Sequence, residues 1–215
     1  MANDAVNPFE MVSLFGATCR PKNGLRHHSM LALALLTALQ CAVAAEVVVT
    51  SSPRKFAVTA PAGWTQQPTA TGNSRVKFVS PAGTPRAECA VIVQEYPALR
   101  NQPQSYFDSI MLVPEDSREL AKQLSQSYSN VSVIGVGGGS LSGHPAQLSN
   151  VIYSIGTPSG SMWVRSSNTS AGTTPGLVWT VACGAMGKTQ LDAEKGFSYW
   201  KLEIVKFPTS VKMLP

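Results

Sequence analysis

Glu88-Cys89-Ala90-Val91-Ile92-Val93-Gln94-Glu95-Tyr96 and Val178-Trp179-Thr180-Val181-Ala182-Cys183 are the two stretches whose reading decides the fold. Both are short, free of proline and glycine, and rich in the β-branched and aromatic residues that pack well on a pleated surface. Alternation puts Cys89 on the face of Val91 and Val93, and Cys183 on the face of Trp179 and Val181, so both thiols point toward an apolar side. In an oxidising compartment such an even pair favours a structural disulfide, with two buried free thiols as the alternative. A Cys89–Cys183 bond would close 94 residues of chain, worth at most about 4–5 kcal/mol in the chain-entropy model. Neither cysteine has the C-x-x-C spacing of a redox motif or the further ligands that zinc requires.

Outward from these strands, Lys55 to Thr59 and Arg75 to Ser80 also alternate and are separated by Pro/Gly-containing turns. Ser105 with Asp108 has capping-box spacing for a first helix, and Pro114-Glu115-Asp116 offers a second helix start with acids in its first turn. Leu120, Ala121, Leu124 and Tyr128 recur at helical spacing in that second helix. Strands resume at Val131 to Val136, Gln147 to Ser154 and Ser161 to Ser166, and the polar run Ser167 to Gly176 reads as an exposed loop. Thr189 and Asp192 then make another capping box. Behind them Ala193, Phe197, Trp200, Ile204 and Phe207 form one apolar stripe, which predicts a single helix stopped by Pro208. The stripe reads as core. Hairpin-like strands around a helical pair, with a terminal helix and no dividing linker, predict one α+β domain over residues 46–215, a mainly antiparallel sheet flanked by helices.

The first 45 residues read differently. Arg20, Lys22 and Arg26 precede an uninterrupted apolar core, Met30 to Leu39, and the small residues around Ala42-Val43-Ala44-Ala45 fit an A-x-A cleavage site. These features describe a secretory signal peptide cut after Ala44 or Ala45. The segment from Met30 to Ala45 is shorter than the roughly 20 residues that span a bilayer, so no transmembrane span is expected after cleavage. A lipid anchor at Cys41 is disfavoured by the bulky Gln40 before it. The expected location is periplasmic or secreted. Removing 45 of the 215 residues leaves a chain whose positive charges are scattered singly, without the basic block or stripe of a nucleic-acid binder.

Motifs for chemistry are sparse. Gly135-Val136-Gly137-Gly138-Gly139-Ser140 lacks the third glycine of G-x-G-x-x-G and has no following Gly-Lys-Ser/Thr. It reads as a flexible strand end or a hairpin loop ending at Gly143-His144-Pro145. His144 is the one histidine beyond the leader, so a two-histidine metal site is excluded, and no acidic calcium loop is present. Ser52-Pro53-Arg54-Lys55 matches S-x-x-K, but Pro53 and the adjoining strand pattern make it a poor helix, and the companion K-T-G fails at Gln190. No cofactor is called for. Nucleophilic catalysis would rest on Ser140 or Ser142 beside His144, and G-x-S-x-G is missing.

Phe56-Ala57-Val58 running into Ala60-Pro61-Ala62-Gly63-Trp64 resembles the opening strand of PsbP-like domains. Leu141-Ser142-Gly143-His144-Pro145-Ala146 is similar to the turn-then-strand segment before their central hairpin. The strand Val178 to Cys183 and the helix from Thr189 to Phe207 resemble that family's ending. The resemblance implies an antiparallel sheet sandwiched by helices, an α/β/α arrangement, and carries over no catalytic or metal residue. The expected function is therefore that of an exported, non-catalytic accessory or binding module, with an envelope protein or another envelope component as partner. A small hydrolase or transferase using a serine near His144 is the alternative. Ser140, Ser142 and His144 form the candidate functional surface.

Overall fold

The structure, a computed structural model, describes residues 46–49, 55–68, 74–158 and 160–214; the expected leader and the S-x-x-K serine lie outside the described residues. Strands and helices follow in the order β1 (Glu46–Val49), β2 (Phe56–Thr59), β3 (Thr65–Gln67), β4 (Ser74–Val79), β5 (Ala87–Glu95), α1 (Gln104–Met111) and α2 (Ser117–Leu124). They continue through β6 (Ser129–Leu141), β7 (His144–Thr157), β8 (Gly160–Thr173), β9 (Leu177–Gly187), α3 (Gln190–Tyr199), α4 (Lys201–Lys206) and β10 (Lys212–Met213). Seven strands form one antiparallel sheet in the order β3-β4-β5-β9-β8-β7-β6, and β1-β2-β10 form a small antiparallel sheet. The architecture is α+β.

The two deciding stretches pair with each other. β5 and β9 run side by side with Cys89 directly opposite Cys183, and the sulfurs are bonded. Val91, Val93, Trp179 and Val181 lie on the cysteines' face and belong to the main buried cluster with Phe56, Phe78, Ile204 and Phe207. This face is covered by α3, α4 and the small sheet. Phe56 meets Trp179 edge-on at 5.9 Å, and Phe207 meets Phe78 at 5.8 Å. Trp64, the turn tryptophan, is buried at the same end and stacks edge-on against Trp200 at 5.2 Å.

The opposite face is covered by α1 and α2. Phe107 is the buried residue of α1 and lies on Gly172 of β8, where a Cβ would stand 2.7 Å from the ring. Leu120 and Leu124 of α2 close a second cluster with Tyr128, Val151, Tyr153 and Val164. The acids before α2 act as the sequence suggests: the Asp116 carboxylate caps the helix by accepting from the Arg118 and Glu119 amides.

Four expectations need correction. The Ser105–Asp108 capping box does not form. α1 begins at Gln104, with Pro103 rather than Ser105 at the N-cap, and Gln104 donates its Nε2–H to Asp108 and to the Gly172 carbonyl. Ser167 to Thr173 is strand, not loop; it pairs with β9 throughout and with β7 as far as Ser170, and Thr169 and Ala171 are buried. Gly135 to Ser140 is likewise strand, paired to β7 from Asn150 to Pro145. The hairpin turn is only Ser142-Gly143, with φ of 52° and 85°, the two left-handed positions of a type I′ turn. Finally, the C-terminal helix is not continuous. Trp200 leaves helical geometry (φ −97°, ψ 15°) while its indole N–H donates to the Pro85 carbonyl at 2.7 Å, and Phe207–Ser210 finishes as a 3-10 turn around Pro208. The Thr189–Asp192 capping box is present as expected.

Candidate functional site

On the cysteines' face the main core reaches β6 only at its last residue, Leu141. Between the inner face of β6–β8 and the C-terminal helices lies a groove of about 540 Å³, within the roughly 300–1,000 Å³ usual for small-ligand sites. Its floor follows from strand register. Gly135, Asn150 and Ser167 form one cross-strand row, and Gly137, Leu148 and Thr169 form the next. Gly139 and Ala146 are paired beyond them, and Arg165 is one step earlier, opposite Ile152. Along the groove the floor therefore grades from a guanidinium, through amide and hydroxyl groups, to apolar side chains. Phe197, Ile204, Val205 and Pro208 make the facing wall.

Inner-face positions of a sheet packed under a helix are normally apolar. Here Asn150, Ser167 and Thr169 occupy them, and among the described residues their side chains make no hydrogen bond. The glycines of β6 keep the floor low: a Cβ at Gly135 would meet nothing within 4 Å. At Gly139 the space above the backbone is filled by Leu148, whose Cδ1 would lie 3.0 Å from an added Cβ.

Arg165 is the half-buried cation of the site. Its Nη1 donates to the Ser166 and Val151 carbonyls at 2.8 and 3.4 Å, and its guanidinium lies 4.4 Å over the Phe197 ring. Burial lowers its pKa, and the carboxylate of Glu194 on α3 opposes that shift. Lys201, four residues after Phe197, is exposed at the rim. Aspartate and glutamate are absent from the lining residues.

The serine–histidine surface lies at the far hairpin. Ser140 is exposed at the groove lip. Ser142 is at the turn tip, and its Oγ accepts the Met213 backbone N–H at 2.8 Å, pinning β10. His144 starts β7 opposite Leu141 and is half-buried. Among the described residues no hydrogen bond joins His144 to either serine. The buried acid Glu88 is ion-paired on both oxygens, its Oε1 2.6 Å from Arg86 Nη2 and its Oε2 3.6 Å from Lys77 Nζ, but among the described residues Oε2 has no hydrogen-bond partner. Among the described residues, no cluster of three or more histidines, cysteines and acids has metal-binding geometry, and no helix is long and apolar enough to cross a membrane.

The sequence reading missed Asn150, Arg165, Ser167, Thr169, Phe197 and Lys201 as a group. The available signal was the alternation itself, which sets Asn150 with Leu148 and Ala146, and Ser167 and Thr169 with Ala171, on one face.

No family model matches the chain, and no curated protein sequence matches it. Among solved structures the chain is similar to cyanobacterial PsbP (CyanoP) from Synechocystis sp. PCC 6803, at 13% identity and a TM-score of 0.49, over 80% of this chain and 94% of that one. It is also similar to LpqN, involved in cell envelope biogenesis of Mycobacterium tuberculosis, at 11% identity and a TM-score of 0.45, over 80% and 91% of the two chains. A protein of unknown function from Pseudomonas aeruginosa aligns at 14% identity and a TM-score of 0.37, over 74% and 92%. Likenesses at this level concern architecture and transfer no residue role.

Proposed function

We propose that this chain is an exported, non-catalytic binding module that holds a protein or envelope component in the groove between β6–β8 and the C-terminal helices. The carrying observation is that the polar side chains of Asn150, Ser167 and Thr169, in two adjacent cross-strand rows and without hydrogen-bond partners among the described residues, line an open groove where the fold would otherwise place core. Side-chain donors and acceptors that the protein itself leaves unused in a groove are available to hydrogen-bond a ligand. Export is supported by the leader pattern at residues 1–45 and by the Cys89–Cys183 disulfide, a bond that persists in oxidising compartments. The serine–histidine reading lacks equivalent support, because the Ser142 hydroxyl already receives a backbone amide.

The test is site-specific photocrosslinking of the exported protein in cells. A crosslinker at Lys201, on the groove rim, is expected to capture a discrete species that one at Lys122, on α2, does not. Gly135→Leu, which builds a side chain into the open groove, is expected to abolish that capture. Equal capture from both positions, or capture unaffected by Gly135→Leu, refutes the reading.

A further inference from the structure

We propose that the groove takes a single-chain amphiphile with an anionic head, its carboxylate or phosphate at Arg165 and Lys201 and its alkyl chain directed over Leu148 toward Gly139 and Pro208. This rests on the groove being the binding site and adds the chemistry of what fills it. Three observations carry it.

The first is charge. Two cations line the groove and no acid does. Arg165 uses only Nη1 on protein carbonyls, so among the described residues its Nε and Nη2 have no hydrogen-bond partner. Glu194 faces Arg165 from α3, but its Oε1 accepts from Gln190 at 2.9 Å, and it forms no ion pair with the guanidinium. A guanidinium with a free edge suits an oxyanion, and Lys201 adds a mobile point charge at the rim.

The second is the gradient along the floor. Arg165 gives way to Asn150 and Ser167, then to Thr169 and Leu148, then to Ala146. On the strand floor, the hydrogen-bonding side chains thus lie toward the cationic end. At the opposite end the groove is lined by Gly139, Leu148 and Pro208, with Ser140 and Thr209 at its edge. A uniformly polar ligand would leave that end unmatched, and a purely apolar one would strand the floor's amide and hydroxyls.

The third is size. A groove of about 540 Å³ is on the scale of one drug-sized ligand, roughly 300–1,000 Å³.

Calorimetric titration of the mature chain tests this, using decanoate, decyl phosphate, decyltrimethylammonium and inorganic phosphate, each below its micellar concentration. Both decyl anions are expected to bind at one site, at least about tenfold more tightly than the decyl cation. Inorganic phosphate is expected to bind far more weakly than decyl phosphate. Lys201→Gln is expected to weaken the anions by about two- to fivefold, as for an exposed charge pair, with the loss shrinking at high salt. Gly135→Leu is expected to abolish binding at an unchanged unfolding temperature. Should that variant fold poorly, Lys201→Glu replaces it, with a loss larger than that of Lys201→Gln. Equal affinity for anionic and cationic heads overturns the proposal, as does phosphate binding as tightly as decyl phosphate. If no amphiphile binds while Lys201 crosslinking still captures a species in a Gly135→Leu-sensitive way, the amphiphile fails and the groove stands. If that capture fails too, both fall.

Discussion

Replacing Cys89 and Cys183 by alanine together removes the one covalent tie between the two central strands, and its effect follows from the structure. The bond joins residues 94 apart, and the enclosed chain contains α1, α2, β6, β7 and β8. Closing a loop of that length lowers the entropy of the unfolded chain by an amount worth about 4.7 kcal/mol at 25 °C. Both sulfurs sit in the main core, with Cys89 0% and Cys183 2% exposed. Alanine therefore also leaves two methyl-sized voids, at about 1 kcal/mol each. The total, about 6–7 kcal/mol, is a large part of a domain's usual 5–15 kcal/mol. With a urea dependence of about 2 kcal/mol/M, the alanine pair should shift the unfolding midpoint down by roughly 3 M, and reduction of the native pair by roughly 2 M. The second figure is smaller because the thiols still fill the core. Since the bond is buried, the reduced curve must be approached from unfolded protein. A shift below about 0.5 M at unchanged slope would refute the chain-entropy reasoning.

Three further outcomes are expected. Burial pushes the Tyr128 hydroxyl up to about 12 and raises Tyr153 further, with the neighbouring Tyr128 adding to the effect. Their neutral forms favour the folded state, so this stability is complete below the unfolded pKa of about 10 and is lost as pH rises through the folded values. Tyrosinate absorbance should therefore show these two titrating late and together with unfolding; titration of every tyrosine near pH 10 in a folded protein contradicts this. Trp200→Phe keeps the ring but loses the 2.7 Å bond to the Pro85 carbonyl, and thermal unfolding should register about 1–2 kcal/mol. An unchanged Tm would mean that the bond does not hold the helix break. Gly187→Ala places a Cβ 2.6 Å from the Ala193 amide nitrogen at the start of α3; chemical denaturation should report a loss of about 3 kcal/mol, and a loss under about 0.5 kcal/mol would contradict the close approach.

The strands that could be read from sequence were those whose side chains are sorted by face. β5 and β9 carry Val, Ile, Trp and Cys at alternate positions, and their reading placed both cysteines inward. β8 was half misread for a physical reason. Beyond Ser166 its residues are Ser, Asn, Thr, Ala and Gly, a loop composition, yet backbone pairing to strands on both sides holds it in the sheet. Its small side chains are needed because one face floors the groove and the other receives Phe107 over Gly172. The glycines of β6 misled in the same way: intrinsic propensity opposes a strand there, and the ladder to β7 overrides it. The helix break at Trp200 was hidden because the contact that fixes it, to Pro85, is 115 residues away. The groove is assembled from three strands and two helices, so no short motif could mark it. The serine–histidine hairpin attracted notice through residue type alone.

The most direct test of the groove as the functional site is an amide NMR titration of the isotopically labelled protein with solubilised envelope extract, repeated on Gly135→Leu. The perturbed amides are expected to cluster at Gly135, Asn150, Arg165, Ser167, Phe197 and Lys201, and to fall silent in the variant. Perturbation concentrated on α1 and α2, or unchanged in Gly135→Leu, would contradict it.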